Sequence, residues 1–446
     1  MNPTLIMNLD NVLLNCLTFK KITTRILKNK NVRSYYAVKA NYLKEVRNLI
    51  FNEGYGGEIL SEYELDLVDL TVPLIINGHV KSDLLLNKGL ERNDAQIIVE
   101  SINEIERLCC LYKLKNYKKP INIGIRLPYQ SSRIGFNIGE LYLLKKIIDC
   151  NNFLNIDMLH FHSGWNNRDD VIYREHLDFM LKYHNILKGY GIKITKWNVG
   201  GSFCEYSSDK SQLSRRIKMV NNIIPSDVSS IYLEPGRFLV GDAGILQANV
   251  IDVDNKGCTL DSATYGYLLS GASPCLVLIK NDINKTKTNI NISAKSDYII
   301  SGIWPSENDM ILVDKTDIFV GDQIVFNNMG AYLDGSMTNI SFDFNFNYLI
   351  KKKLYDLWSL ANEEEKNILV KFWDFESSLF KKIPRTQSVI NSILSLMSKT
   401  IEKHRLYNEI ELSEHLSSYF MDFATIRREM VENKFLVNDG GIFERK

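Results

Sequence analysis

The feature that most constrains this chain is a regular alternation of short apolar runs and helical patterns between residues 25 and 245. The apolar runs fall at residues 34–38, 74–77, 96–99, 121–126, 157–161, 194–199 and 230–233. Helical patterns, such as those at residues 42–53 and 102–112, separate most of them. Repeated βα units of this kind predict parallel strands with crossover helices. These seven runs lie in a length that suits eight such units, which favours a closed (β/α)8 TIM-like barrel over an open sheet.

Two segments of different character flank the predicted barrel. Residues 246–347 contain short β-like runs separated by Asn, Asp and Gly, which predicts a mostly antiparallel β domain. We expect residues 1–24 to join that domain. Residues 348–446 carry apolar residues at helical spacing and end in two helices and a hairpin at Asn438–Gly441. This part is predicted to be a helical, winged-helix-like extension.

Composition excludes several classes of protein. The formal net charge of +1 argues against a dedicated nucleic-acid binder. No run of about 18 apolar residues is present, so we expect no membrane-spanning segment. The seven cysteines are scattered without CxxC spacing, which fits reduced thiols rather than a disulfide framework or a zinc site. We therefore expect a cytoplasmic protein without a bound metal.

Four motifs at predicted strand ends carry groups that can do chemistry. Lys39 follows the strand of YYAVKAN, where partial desolvation would lower its pKa and suit it to imine formation. His160 and His162 of HFHSGWNN face the same side of their strand, so they could stack on a planar group or bind a metal. No third metal ligand is visible nearby. Each motif alone also fits a purely structural role.

The other two motifs suit a phosphate group. Gly200-Gly201-Ser202 exposes consecutive backbone N–H groups late in the barrel, where barrel phosphate sites form. Glu234 and Arg237 of LEPGRF add a strand-end carboxylate and a guanidinium. In this order, a lysine, a histidine, a glycine loop and an acid match what a pyridoxal phosphate barrel requires: a Schiff-base amine, a flat partner, phosphate donors and an acid near the pyridine nitrogen.

Six ordered motifs give the chain a family resemblance. They are YAVKAN, HFHSG, GGSF, EPGR, GDQI and MGAY, within residues 5–347. In this order and spacing the chain resembles the fold-type III pyridoxal phosphate-dependent decarboxylases, which include the diaminopimelate, ornithine and arginine decarboxylases. The resemblance implies pyridoxal 5'-phosphate as the cofactor and a homodimer whose subunits share active sites. The last residues, from Asp422 onward, resemble a small winged-helix-like domain of uncharacterised function.

The resemblance also implies roles for individual residues. Lys39 would form the Schiff base, His162 would stack on the pyridine ring, and Glu234 would pair with the pyridine nitrogen. The residues implied to hold the rest of the cofactor are Glu58, Ser61, Arg126, Gly201, Ser202, Gly236, Arg237 and Tyr332. The residues implied to contact the substrate are Arg133, Asp309 and Tyr332.

Three departures from the family pattern bear on substrate and proton donor. Pro305 occupies the position of the family's catalytic cysteine, and Trp165 replaces a serine after HFHSG. Ser202 replaces the third glycine of the family's glycine loop. We therefore predict a decarboxylase of an amino acid or of an amino-acid-derived substrate, such as a specialised-metabolite precursor or one tethered to a carrier or peptide. A racemase-like enzyme and a non-catalytic cofactor-binding or regulatory protein remain alternatives, and a carrier or partner protein stays open.

Overall fold

The computed structural model confirms the predicted fold class. It describes residues 3–128, 134–164, 167–262, 264, 276–282, 284–303, 309–332, 347–374, 377–382, 384 and 386–446. The chain forms two compact units. The first runs to residue 350, and the second comprises residues 351–446 together with residues 9–11.

The first unit contains a closed barrel of eight parallel strands. Its strands are β2 (Asn31–Ala37), β3 (Gly56–Ile59), β4 (Leu74–Ile76), β5 (Ala95–Val99), β6 (Ile121–Arg126), β7 (Leu154–His160), β8 (Lys196–Asn198) and β9 (Ser230–Leu233). The helices of this unit are α1 (Leu9–Ile26), α2 (Lys44–Asn52), α3 (Glu62–Leu65), α4 (Asp83–Glu91), α5 (Ile102–Leu114), α6 (Leu141–Cys150), α7 (Asp170–Gly189), α8 (Gln212–Ile223) and α9 (Arg237–Val240). Short 3-10 turns lie at Val38–Ala40, Ile138–Glu140 and Gly241–Ala243.

An apolar layer closes the interior of the barrel below its carboxyl end. Its buried members come from five different strands: Tyr35, Ile75, Ile98, Met158 and Tyr232. The rings of Tyr35 and Tyr232 stack with their centroids 5.3 Å apart. Because this layer is packed, polar side chains that follow the strands are confined to the barrel mouth, where barrel enzymes place their sites.

A nine-stranded sheet combines one strand that precedes the barrel in sequence with eight that follow it. Its strands are β1 (Thr4–Asn8), β10 (Gly244–Val253), β11 (Gly257–Leu260), β12 (Leu276–Ile279), β13 (Lys287–Ile290), β14 (Tyr298–Ser301), β15 (Met310–Val313), β16 (Gln323–Asn327) and β17 (Asn347–Lys351). β11 and β14 pair in parallel, whereas β10 pairs antiparallel with β1, β11 and β16. The alternation of buried and half-buried residues along β10 places one face of the sheet on a shared core that includes Leu246, Ala248 and Val250.

The second unit has the order of elements of a winged helix. Its helices are α10 (Lys353–Leu360), α11 (Glu363–Phe372), α12 (Gln387–Thr400), α13 (Glu409–Ser417) and α14 (Phe423–Glu432). Its strands are β18 (Trp373–Asp374), β19 (Leu379–Phe380), β20 (Leu406–Asn408), β21 (Leu436–Asp439) and β22 (Ile442–Arg445). From α12 onward the order is helix, strand, two helices and a hairpin, and the last three strands form one sheet in the order β20-β22-β21. Among the helices that the structure describes, none has the length and apolar character needed to span a bilayer.

Candidate active site

One cavity at the carboxyl end of the barrel strands gathers most of the predicted site residues. Nine predicted residues line it: Lys39, Glu58, His162, Gly201, Ser202, Glu234, Gly236, Arg237 and Tyr332. These residues lie on strand ends and loops that are far apart in sequence. The fold brings them together at the carboxyl end of the closed barrel. No cluster of His, Cys, Asp and Glu able to hold a metal occurs among the described residues.

Lys39 lies at the cavity in the 3-10 turn that follows β2. Its Nζ is 2.7 Å from Oε2 of Glu58, which is buried on β3. Burial, the largest single influence, would lower the pKa of Lys39. The charge of Glu58 and its hydrogen bond, together with Tyr332 and Glu234, outweigh burial, so the pKa is raised above its ordinary value. The expectation of a lowered pKa at Lys39 is therefore wrong, because it ignored a carboxylate that sequence spacing did not place beside the amine.

Glu234, at the end of β9, is held by hydrogen-bond donors from three other strands. Asn198 Nδ2 donates to its Oε1 at 2.7 Å, and Asn77 Nδ2 donates to the same oxygen at 3.1 Å. His160 Nε2 lies 3.3 Å from Oε2. Burial alone would raise the pKa of Glu234, but His160, Lys39 and Asn198 together lower it to about 2. Glu234 is therefore a carboxylate at neutral pH.

His162 follows β7, two residues after His160, and reaches the cavity itself. The two histidines differ in their surroundings. His160 is fully buried against Glu234, whereas His162 is half-buried. Burial, with the positive charges of Arg126 and Lys39, lowers the pKa of His162 to about 3. A neutral, flat ring therefore borders the cavity.

Two glycines beside the cavity, Gly201 after β8 and Gly236 after β9, have little room for a side chain. A Cβ on Gly201 would lie 2.7 Å from the carbonyl oxygen of Glu234 and 3.5 Å from His162 Cε1. A Cβ on Gly236 would lie 3.1 Å from the Cβ atoms of both Ala37 and Ala40. Glycine at these two positions therefore lets neighbouring segments pack closely, and the backbone of both residues lines the cavity, as a phosphate cradle requires.

Ser202 stands in the glycine loop with a φ of 64°, a conformation that favours glycine. Its Oγ donates to the carbonyl oxygen of Gly164 at 2.9 Å. The hydroxyl therefore links the glycine loop to the loop after β7, and this contact accounts for a serine at a strained position.

The motifs YAVKAN and MGAY, which are far apart in sequence, are hydrogen-bonded to each other beside the turn that carries Lys39. Asn41 of YAVKAN donates from Nδ2 to the carbonyl oxygen of Gly330 at 2.9 Å. The backbone N–H of Tyr332, in MGAY, donates to the carbonyl oxygen of Ala40 at 2.6 Å. These bonds set Tyr332 at the cavity, where its ring lies against the Arg237 guanidinium at 5.0 Å. Arg237 also donates from Nη1 to buried Glu205 at 3.0 Å.

Three predicted residues do not line the cavity. Ser61 caps α3 by accepting from the N–H of Glu64 at 3.3 Å, and Arg126 donates to Glu100 Oε1 at 3.2 Å. Asp309 is buried in the β domain, where Thr264 Oγ1 donates to it at 2.7 Å. Their proposed contacts with cofactor or substrate stay predictions. Arg133, Trp165 and Pro305 lie outside the described residues.

Sequence reasoning missed Asn41, Asn77, Asn198 and Glu205. Asn77 and Asn198 lie at or just after strand ends, like the residues that were predicted, so listing every polar strand-end residue would have found them. Glu205 follows no strand directly, and only its contact with Arg237 reveals it.

Comparison with known proteins identifies the family. Residues 18–241 match the model described as pyridoxal-dependent decarboxylase, pyridoxal binding domain. Residues 380–445 match a second family model, which is described as an uncharacterised protein conserved in bacteria. Antizyme inhibitor 2 of Xenopus laevis is 24% identical over 340 residues, which cover 70% of this chain and 74% of that protein.

Two further proteins extend the likeness. A Staphylococcus aureus 2-[(L-alanin-3-ylcarbamoyl)methyl]-2-hydroxybutanedioate decarboxylase is 24% identical over 341 residues, covering 68% of this chain and 83% of the relative. The crystal structure of diaminopimelate decarboxylase from Helicobacter pylori complexed with L-lysine superposes with a TM-score of 0.64 at 20% identity, covering 74% of this chain and 87% of that one. This structural likeness confirms the fold.

The residues of the cavity fit pyridoxal phosphate. Lys39 supplies the amine, ionised Glu234 suits a protonated ring nitrogen, and neutral His162 offers a flat face. The backbone at Gly201 and Gly236, with Arg237 beside them, suits the phosphate. The predicted cofactor, enzyme class and family are thus confirmed: this chain belongs to the pyridoxal phosphate-dependent decarboxylases of amino acids.

Proposed function

We propose that this chain is a carboxy-lyase that removes CO2 from an amino acid or an amino-acid-derived substrate, with Lys39, His162 and Glu234 as its catalytic residues. One observation carries the proposal. These three side chains follow β2, β7 and β9 of a single barrel and line one cavity, with Lys39 Nζ 2.7 Å from Glu58. An amine, a carboxylate and a neutral ring in that arrangement match the needs of this chemistry.

Pyridoxal phosphate, when bound, supplies a conjugated ring that takes up the electron pair left behind as CO2 departs. Glu234 remains a carboxylate at neutral pH, so it can hold a proton at the pyridine nitrogen. Neutral His162 can lie against the ring without adding a second positive charge. Lys39 must lose a proton before it can attack a carbonyl carbon, and Glu58 Oε2, at 2.7 Å from Nζ, holds that proton on the amine by raising its pKa.

The substrate we propose is an amino acid carried on a larger acid or other scaffold. Support comes from the Staphylococcus aureus relative, whose name describes a substrate in which an alanine unit is joined through a carbamoyl group to a hydroxybutanedioate. That match covers 68% of this chain, so it extends beyond the barrel. Pro305 at the position of the family's cysteine also favours a substrate outside the common set. A homodimer and a carrier protein as partner remain parts of this proposal.

The first experiment locates the cofactor. The full chain, loaded with pyridoxal phosphate, is reduced with borohydride and digested, and the pyridoxyl label is mapped by mass spectrometry. We expect the label on Lys39 and its loss in Lys39→Arg, with Lys44→Arg as the control because Lys44 is exposed at the start of α2. A label on another lysine would overturn the assignment of Lys39.

The second experiment measures CO2 release from two substrate sets. One contains free lysine, ornithine and diaminopimelate, and the other contains 2,3-diaminopropionate joined through its side-chain amine to polycarboxylic acids. We expect turnover of the joined set and little turnover of the free set. Rapid turnover of a free amino acid contradicts the proposed substrate. Solvent deuterium at the α-carbon without CO2 release indicates a racemase, and a label on Lys39 without turnover of any substrate indicates a cofactor-binding regulatory protein.

A further inference from the structure

Glu205 is a fully buried carboxylate beside the candidate phosphate site. It lies in the loop between β8 and α8, and its side chain is 0% exposed. Oε1 accepts from Arg237 Nη1 at 3.0 Å, and Oε2 accepts from Arg168 Nη2 at 3.0 Å. Ser208 Oγ donates to the same Oε2 at 3.3 Å. Burying a carboxylate costs free energy unless it is paired, and Glu205 is paired with two arginines. We therefore ask what this buried ion pair contributes to the site.

The packing of the loop is built around this ion pair. A Cβ added to Gly241 would lie 2.6 Å from Cγ of Glu205 and 3.1 Å from Cγ of Arg237. Glycine at position 241 therefore makes room for the aliphatic parts of both charged side chains. The φ of Gly241 is negative, so its backbone conformation does not require glycine. Glycine is needed at this position for packing.

Arg237 is restrained from two directions. Glu205 accepts from one nitrogen of its guanidinium, and the ring of Tyr332 lies against the group at 5.0 Å. The same side chain lines the cavity with Gly201 and Gly236. An arginine that is already oriented loses less conformational freedom when it binds an oxyanion.

The charges of the cluster still favour an anion. One carboxylate and the two guanidinium groups of Arg237 and Arg168 leave a net charge of +1 beside the cavity. Arg168 is 40% exposed and Arg237 only 5%, so the buried charge that faces the cavity is that of Arg237. Glu205 thus orients Arg237. The positive charge of Arg168 offsets the repulsion that the Glu205 carboxylate would exert on a phosphate.

We propose that Glu205 is a positioning residue that fixes the Arg237 guanidinium for the phosphate of the cofactor. The proposal needs only that the cavity binds pyridoxal phosphate, and it is independent of the substrate. It predicts that Glu205 strengthens binding of the phosphate group and has no effect on binding of the pyridine ring or on attachment to Lys39. Comparing pyridoxal phosphate with pyridoxal, which lacks the phosphate, separates these contributions.

The test measures dissociation constants of both ligands for the cofactor-free full chain by absorbance and fluorescence titration. In Glu205→Gln we expect the Kd of pyridoxal phosphate to rise about tenfold or more, the size of one charge-assisted hydrogen bond, while the Kd of pyridoxal stays within about twofold. The control is Glu104→Gln, which breaks a buried 2.8 Å ion pair with Lys81 that does not line the cavity. This control should leave both constants unchanged.

A second variant keeps the proposal testable if Glu205→Gln does not fold. Gly241→Ala retains every charge but displaces the side chains of Glu205 and Arg237, so we expect the same selective loss for pyridoxal phosphate. An equal weakening of both ligands would show that Glu205 is merely structural and overturn the proposal. Unchanged or tighter binding of pyridoxal phosphate would overturn it as well.

Discussion

Replacing Glu58 with glutamine tests the electrostatic account of Lys39 directly. Glu58 Oε2 lies 2.7 Å from Lys39 Nζ, and Glu58 Oε1 accepts from Asn77 Nδ2 at 3.0 Å. Glutamine keeps the length of the side chain and can still accept from Asn77, so the substitution mainly removes the negative charge. Burial, the largest influence on Lys39, then favours its neutral form.

The magnitude follows from the strength of one charge-assisted hydrogen bond. Such a bond contributes about 1.5–3 kcal/mol, which corresponds to about 1–2 pKa units at about 1.36 kcal/mol per unit. The pKa of Lys39 is raised in the native protein, so Glu58→Gln lowers it toward or below its ordinary value. At a pH below both values the fraction of neutral amine then rises about tenfold to a hundredfold. Since only the neutral amine attacks a carbonyl carbon, attachment of the cofactor to Lys39 should accelerate by that factor.

The assay is stopped-flow absorbance of pyridoxal phosphate attaching to the cofactor-free chain, repeated across the neutral and alkaline range. In the variant the rise of the rate with pH should move to lower pH by about 1–2 units. Glu104→Gln, which removes the same charge from the Lys81 pair, should leave the profile in place. An unchanged profile, or a slower rate at neutral pH, would refute the reasoning and would indicate that Glu58 acts chiefly as a proton acceptor.

Three other predictions concern the cavity. Gly201→Ala places a Cβ 2.7 Å from a carbonyl oxygen, so the Kd of pyridoxal phosphate, measured by titration, should rise at least about tenfold. The control is Gly139→Ala, whose Cβ meets nothing within 4 Å and which should leave the Kd unchanged. Asn198→Leu removes a 2.7 Å bond to ionised Glu234 and should lower stability by about 1.5–3 kcal/mol in urea at neutral pH. His162 has a pKa of about 3 in the folded chain against an ordinary 6.5, so the unfolded chain binds its proton first. Stability should fall as pH drops below about 6.5, and His162→Gln should flatten that loss.

The barrel could be predicted from sequence because buried parallel strands leave continuous apolar runs. The strand β3, Gly56–Ile59, was missed because its first two residues are glycines. A Cβ on Gly56 would lie 2.3 Å from the ring of Tyr35 on the neighbouring strand. The glycine is therefore required by packing against a residue on another strand, and nothing local in the sequence indicates a strand there. The helix α1, Leu9–Ile26, was likewise not among the elements predicted from the sequence.

For the candidate site, too, some features could be predicted from the sequence and others could not. Residues that follow strands, such as Lys39 and Glu234, could be located because a barrel brings all strand ends to one mouth. Their electrostatics could not be predicted, because these depend on which neighbours face each other across the mouth. Glu58 and Glu234 are both buried carboxylates, yet Glu58 faces an amine and Glu234 faces two amides and a histidine. The first carboxylate raises the pKa of Lys39, and the pKa of the second is lowered by its own partners.

In the C-terminal unit, too, the role of a charged residue depends on its contacts in the folded chain. Its helix order suggests a DNA reader, and Arg427 lies on α14, the helix that would enter a groove. Arg427, however, donates to Ser413 Oγ at 2.5 Å, pairs with Glu409 at 2.7 Å and lies 5.8 Å from the Phe443 ring centroid. A phosphate contact by this arginine would have to break an ion pair within its own domain. This arrangement argues for a structural role of Arg427 within the C-terminal unit, and the expectation from the net charge of +1 that nucleic acid is not a partner stays a prediction.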